Sequence, residues 1–233
     1  MRLNKLALAL CLAALALPMS AMAQDAAAAA EAPSSNLSWN VELNSDYVFR
    51  GITQTDFDPA LQGGLDYAFG DSGWFAGTWL SNVKFGTDTA LEYDTYFGWA
   101  GDVNDDVNIS LMFDRYNYSG EDVGQWDFNE LIGKVTIKKN YALTLAYSND
   151  WANSGTSSLY TQLTGTWALP NDFSLNAGVG HTNLDSSFSS DYSDYNIGIS
   201  RQFGPVNAAL NYYDTSYNVR ASDSVVLTFK FGG

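Results

Sequence analysis

The chain has 233 residues, with 26 Asp and Glu against 11 Lys and Arg and a formal net charge of −15. An acidic balance with no basic cluster excludes nucleic acid, whose phosphates need Lys and Arg, and argues against a peripheral protein held on anionic lipid. All 26 acids but only nine of the 11 basic residues lie beyond Ala23, so cleavage there leaves a net charge of −17.

Residues 1–23 read as a secretory signal peptide. Arg2 and Lys5 supply the positive start, residues 6–17 the apolar core and Ala21-Met22-Ala23 a small-residue cleavage site. The apolar run is too short for a bilayer-spanning helix. Leu8-Ala9-Leu10-Cys11 faintly resembles a lipoprotein signal, but Leu10 is too large for that processing and the apolar run continues past it. Cys11 is the only cysteine. It leaves with the signal, so disulfides, Cys-zinc sites and thiol nucleophiles are excluded from the processed chain. Residues 24–36, Ala-rich with Pro33, read as a flexible periplasmic lead-in. Residues 37–233 form one domain.

From there, segments of about ten residues alternate apolar and polar side chains, which a strand sends to opposite faces. The first is expected over residues 39–50, with Trp39, Val41, Leu43, Tyr47 and Phe49 on the apolar side. Turn formers at 51–59 precede Leu61, Leu65, Tyr67 and Phe69, and Gly70-Asp71-Ser72-Gly73 turns the chain. Residues 74–83 follow with two possible facings, because Trp74 and Phe75 compete. Leu91, Tyr93, Phe97 and Trp99 alternate with polar or small residues, and so do Val107, Ile109, Leu111 and Phe113. A strand over 126–137 carries Leu131, Val135 and Ile137, and Lys138-Lys139-Asn140 turns into Tyr141, Leu143, Leu145 and Tyr147. Leu159, Leu163, Trp167 and Leu169 lead through Pro170-Asn171-Asp172 to Phe173, Leu175, Ala177 and Val179. Tyr195, Ile197, Ile199 and Phe203 precede Gly204-Pro205, a strand over 206–213, and a last one with Val225, Leu227, Phe229 and Phe231.

About twelve strands result, an even number as bacterial barrels require. Connections near 71, 103, 139, 171 and 204 are tight, whereas those near 54, 86, 121, 153, 186 and 217 are longer and polar. Short turns at one end and long loops at the other suit an antiparallel transmembrane β-barrel with short turns and both termini on the periplasmic side. A soluble β-sandwich also alternates. Its outer face carries mixed charge, whereas the polar parity here is Asn, Ser, Thr, Gln, Gly and acids with few lysines. Aromatics at strand ends (Trp39, Phe69, Trp99, Trp167, Phe173 and Phe203) further suit an interfacial girdle.

Ser45-Asp46-Tyr47-Val48-Phe49-Arg50-Gly51-Ile52-Thr53-Gln54 and Pro59-Ala60-Leu61-Gln62-Gly63-Gly64-Leu65-Asp66-Tyr67 resemble the opening signature of the TorF-type porin family. Gly73-Trp74-Phe75-Ala76-Gly77-Thr78-Trp79-Leu80-Ser81-Asn82 and Leu91-Glu92-Tyr93-Asp94 extend the likeness, whose specific part covers roughly residues 44–98. The resemblance implies a small outer-membrane barrel passing small solutes. Outer-membrane barrels commonly end on an aromatic residue; here Gly232 and Gly233 follow Phe231.

The polar parity supplies the candidate pore lining: Glu42, Asp46, Asp66, Glu92, Asp94, Asp114 and Glu130, with Arg50 and Lys230 as scarce counter-charges. Carboxylates in a confined space attract cations, so an open pore is expected to prefer cations or neutral solutes. Alternatively, these acids pair with Arg50, Lys230 and tyrosines and close a narrow barrel. Arg50 is expected to meet an acid on a neighbouring strand, such as Asp66 or Glu92.

Other motifs carry less. His181 is the only histidine, with Ser186, Ser187 and Ser189 near it, and no nucleophile motif accompanies it. Asp102, Asn104, Asp105 and Asp106 resemble part of a calcium loop but lack its closing Glu. Asp185, Asp191 and Asp194 are acidic enough to hold bridging divalent cations without needing to. Arg201 falls on the apolar parity and is expected to snorkel to the interface. No cofactor or metal motif is present. The expectation is a monomeric outer-membrane channel, not an enzyme, whose partners are outer-membrane lipid and small solutes. A closed barrel binding partners or surface lipid through its loops is the alternative, and a hydrolase acting through His181 a third class.

Overall fold

The computed structural model describes residues 36–86, 88–120, 124–217 and 223–233. The expected signal peptide, and the lead-in up to residue 35, lie outside the described residues. The elements are β1 (Leu37–Asn44), β2 (Val48–Phe49), β3 (Ile52–Thr53), β4 (Ala60–Ala68), β5 (Trp74–Asn82), β6 (Leu91–Asn104) and β7 (Val107–Ser119). They continue as β8 (Phe128–Ile137), β9 (Tyr141–Ser148), β10 (Ser158–Ala168), β11 (Phe173–Leu184), β12 (Tyr192–Phe203), β13 (Val206–Thr215) and β14 (Ser224–Gly232).

Twelve of these strands, β1 and β4 to β14, close into one antiparallel barrel in which each strand pairs with its chain neighbours. The circle closes where β1 pairs with β14, Glu42 standing opposite Lys230 and Val41 opposite Phe231. Trp39 and Gly233 exchange both backbone hydrogen bonds at 2.8 and 3.0 Å, so the two glycines after Phe231 extend the ladder. Closure removes every sheet edge, which a β-sandwich cannot do.

Alternation does the sorting. In β6, Leu91, Tyr93 and Phe97 face outward, while Glu92, Asp94 and Tyr96 are buried inside. β9 reads the same way: Tyr141, Leu143, Leu145 and Tyr147 point out, and Ala142, Thr144, Ala146 and Ser148 point in. The exterior is an apolar wall of Leu, Ile, Val and aromatic residues, about half exposed in each case. On the turn side Trp74 stacks on Phe97 at 5.0 Å, Phe69 meets Tyr67, and Tyr141 meets Trp167. Arg201 lies between the rings of Phe173 and Phe203, 5.0 Å from each, so its charge rests on aromatic faces at the rim.

The connections alternate in length. Those of two to five residues (69–73, 105–106, 138–140, 169–172 and 204–205) share one end, the turn end, with the start of β1 and the end of β14. The opposite, loop end carries 45–59, 83–90, 120–127, 149–157, 185–191 and 216–223.

Three expectations need correction. The first strand ends at Asn44, not near residue 50, and Tyr47 and Phe49 are buried inside the barrel instead of facing out. Their spacing continues the alternation, but Ser45 breaks the run and the chain turns inward. The 74–83 ambiguity resolves with Trp74 and Leu80 outward and Trp79 and Ser81 buried, because Trp74 pairs with Trp99 on the outer surface. β8 begins at Phe128, and Trp126 packs from the preceding loop against the interior aromatic cluster.

Candidate functional site

The lumen has two unlike halves. Toward the loop end it is filled by the chain itself. β2 and β3 form a hairpin with Phe49 opposite Ile52, closed by Arg50 and Gly51 at φ 48° and 76°. Two central residues of positive φ make a type I′ turn, the connection that matches strand twist. Glycine is needed at 51 twice over, since a Cβ there would sit 2.8 Å from the Cβ atoms of both Asp194 and Thr215. Arg50 adopts a backbone conformation that side chains disfavour, so its contacts must hold it there.

Those contacts converge from several strands. The Arg50 guanidinium donates to both Glu130 oxygens, at 2.9 and 2.7 Å, and both side chains are fully buried. Its flanks are the rings of Tyr160 at 4.3 Å, Phe49 at 4.6 Å and Trp151 at 5.0 Å. Tyr116 stacks on Phe128 at 4.3 Å and donates to Glu130 at 3.1 Å. Arg50 therefore does not pair with Asp66 or Glu92, as sequence proximity suggests. The inward turn carries its tip past β4 and β6 to an acid on β8.

The hairpin's base is tied by Asp46. Its Oδ1 accepts from Thr53 at 2.6 Å and Thr55 at 2.9 Å, and its Oδ2 from Ser224 of β14 at 2.9 Å. Tyr47 packs edge-on against Trp79 of β5 at 5.5 Å, and Val48 joins Tyr213 of β13 and Val226 of β14.

The acids around this hairpin exceed the bases. Asp46, Glu92, Asp94, Asp114, Glu130 and Asp194 are all buried, and Arg50 is the buried base among the described residues. Asp114 stands directly opposite Glu130 across β7 and β8, and Asp94 sits opposite Tyr116 across β6 and β7. Glu92 accepts from Tyr118 at 3.2 Å, and Asp194 from Tyr160 at 3.1 Å. Asp94 and Asp114 are completely enclosed. Carboxyl groups crowded into a low-dielectric space interact strongly with one another.

Between the halves, Asn44 donates to Glu42 and to Gln62, both at 2.8 Å, and accepts from Thr228. Lys230 lies 3.7 Å from Glu42. Toward the turn end the lining changes to amides and glycines. Asn176 donates to Asn211 at 3.1 Å, and a Cβ at Gly198 would overlap the Asn211 amide. Gly178 likewise leaves room for the Asn196 amide. The amides thus lie flat along the wall, and no hairpin fills the space between them. Asp66, half-buried here, accepts from Tyr96 at 2.5 Å.

All nine charged residues singled out in the sequence therefore face the interior: Glu92, Asp94, Asp114 and Glu130 around the hairpin, Asp46 and Arg50 on it, Glu42 and Lys230 between the halves, Asp66 toward the turn end. Sequence reasoning missed Asp194, Tyr116, Tyr118 and Tyr160, although each lies on the inward parity of its strand. The acid row 185, 191 and 194 does not converge. Asp194 is inside, Asp191 accepts from the Leu184 amide, and Asp185 is held below the usual carboxylate range by hydrogen bonds from Ser187. Asp102 and Asn104 serve their own turn through Asn108 and Asp106. Among the described residues no three acids, histidines or cysteines are arranged to hold a metal. His181 is exposed on the outer wall, 2.9 Å from Ser193 across the β11–β12 ladder, and its partner is none of the three loop serines.

A family model described as "Bacterial protein of unknown function (Gcw_chp)" matches residues 27–230. The chain belongs to this family. A search of curated proteins gives no match. Among solved structures the chain resembles the NanC porin, with a TM-score of 0.50 and 11% identity over 84% of this chain and 97% of that one. It also resembles the KdgM porin (TM-score 0.46, 9% identity, 84% of this chain and 95% of that one). A further likeness is to OprD of Pseudomonas aeruginosa (TM-score 0.42, 13% identity, 85% and 66%). At these identities the likeness concerns the barrel fold.

Proposed function

We propose that this member of the Gcw_chp family is a porin-like channel of the bacterial outer membrane through which small solutes diffuse passively. The observation that carries the reading is the sorting of the wall: a closed barrel with an apolar exterior and a polar, charged interior. A soluble protein has no use for an apolar exterior of this extent, and a filled structural barrel has little use for amides lying flat along one half of its lumen. The resemblance of residues 44–98 to TorF-type porins and the shared fold with NanC point the same way. In this reading the turn end and both termini face the periplasm, the long loops face outward, the chain acts as a monomer, and outer-membrane lipid surrounds it.

The excess of buried carboxylates favours cations or neutral solutes over anions. Reversal potentials of the refolded protein across a salt gradient test this, and anion selectivity overturns it. Replacing both Asp94→Asn and Asp114→Asn is expected to lower the cation-to-anion permeability ratio about threefold.

A second reading is a closed barrel that works through its loops, and the hairpin packed into the loop end favours it. Single-channel conductance separates the two. A hydrolase acting through His181 is tested by lipase assay. His181→Ala is expected to leave stability and any measured activity unchanged, because the imidazole's described partner is one exposed serine hydroxyl.

A further inference from the structure

The inward hairpin is joined to the barrel in an unusual way. No rung of the barrel ladder runs through it. β1 and β4 pair with each other up to Asn44 and Ala60, and β1 pairs with β14 on its other side. The twelve-strand circle is complete without residues 45–59. That segment has 15 residues, with an extended reach of about 50 Å, while its two ends sit on paired strands about 5 Å apart. It has ample length to swing out of the lumen with both anchors fixed.

It is held inside by the burial of Tyr47, Val48 and Phe49, by the Lys84 amide donating to the Gln54 carbonyl at 2.7 Å, and by a small set of polar side-chain contacts. The tip is fastened by the Arg50–Glu130 pair and the base by Asp46 to Ser224. A buried ion pair is a suitable latch, because the cost of removing both charges from water largely cancels their attraction. The net hold of the intact pair is modest, yet loss of either partner shifts the balance sharply. Among the described residues no second hairpin enters the amide-lined half. Withdrawal would expose a wall of carboxylates, including Glu130 itself.

We propose that the hairpin spanning residues 46–55 is a plug that shuts the loop end of the lumen and withdraws to let solute pass, with Arg50 and Glu130 as its latch. The proposal rests on the channel reading and adds to it a resting closed state.

The test uses the processed chain refolded into planar bilayers, with heat-modifiable gel mobility confirming folding of each variant. Wild type is expected to open rarely. Glu130→Gln keeps the side chain's shape but discharges the latch, and is expected to raise the open fraction at least about tenfold. Val48→Cys with Val226→Cys joins the hairpin to β14, since these two residues share one buried cluster. The oxidised form is expected to stay shut, and dithiothreitol to restore wild-type openings. Residues 46–58 replaced by a short Gly/Ser connection should give a constitutively open barrel. If the oxidised double-cysteine protein conducts as freely as the reduced one, or the plugless barrel conducts but no better than a conducting wild type, the plug is overturned and the channel stands. A folded plugless barrel that passes no current overturns the channel reading and the plug with it. Should Glu130→Gln fail to fold, the cysteine pair decides alone.

Discussion

The two halves of the lumen are built from one alternating pattern and behave as opposite solutions to the same problem. A barrel interior must be filled, solvated or satisfied by hydrogen bonds. The turn end uses glycines and amides: small residues set the wall back, and Asn176, Asn196 and Asn211 lie along it. The loop end instead folds a hairpin inward and buries Arg50, Tyr47 and Phe49 against acids and aromatic rings. At the turn end Asn176 and Asn196 are partly exposed, whereas the polar groups around the hairpin are enclosed and depend on specific protein partners. Loss of a contact should therefore matter far more in one half than in the other.

The largest expected effect is at the centre of the filled half. Arg50→Ala leaves Glu130 buried without its counter-charge and removes a cation from between three rings. A loss of about 3–5 kcal/mol is expected for that half, read as a lower urea midpoint for quenching of Trp79 and Trp151 fluorescence. Because the barrel ladders bypass the hairpin, the turn-end aromatics should keep their wild-type transition. Loss of both transitions together would erase the distinction between the halves. Gly51→Val comes next. It places a β-branched side chain at φ 76°, where its Cβ meets Asp194 and Thr215. About 2–3 kcal/mol is expected from strain and overlap combined, with the hairpin displaced and the barrel intact by amide exchange.

The sequence made the wall legible and the filling only in part. A period of two is a local signal, so the parity of Leu91, Tyr93 and Phe97 against Glu92, Asp94 and Tyr96 could be read without knowing any neighbour. The twelve strands, the alternation of loop lengths and the inward facing of the acids all follow from it. The inserted hairpin did not, because Tyr47 and Phe49 keep the outward parity of Val41 and Leu43, and an apolar residue bound for an aromatic core is spelled like one bound for lipid. The available clue was Arg50-Gly51 between Val48-Phe49 and Ile52-Thr53, a two-residue turn flanked by strand formers. Glu130 as the partner of Arg50 could not be read from sequence at all. The pair is 80 residues apart, and only the path of the hairpin across the lumen brings it together. Asp66, by contrast, meets Tyr96 at the turn-end edge of the interior cluster.

The smallest and cleanest test of the difference applies one substitution twice. Tyr116 donates to Glu130 at 3.1 Å, and Tyr96, whose ring belongs to the same buried cluster, donates at 2.5 Å to the partly exposed Asp66 on the turn-end side. Tyr→Phe removes one hydroxyl from a carboxylate in each case and changes packing little. By length alone the Tyr96 bond is the stronger, so a reading based on bond geometry expects Tyr96→Phe to cost more. Accessibility reverses the order. Glu130 is fully enclosed and Tyr116 also stacks on Phe128, so the lost donor is not replaced, and about 2 kcal/mol is expected. Asp66 is half-exposed to the lumen, where water takes up the vacated acceptor, and at most about 1 kcal/mol is expected. Urea denaturation of the two variants measures both values. A larger loss for Tyr96→Phe would mean that the turn-end lumen is as dry as the hairpin's surroundings, and the distinction between a solvated and a filled half would fail.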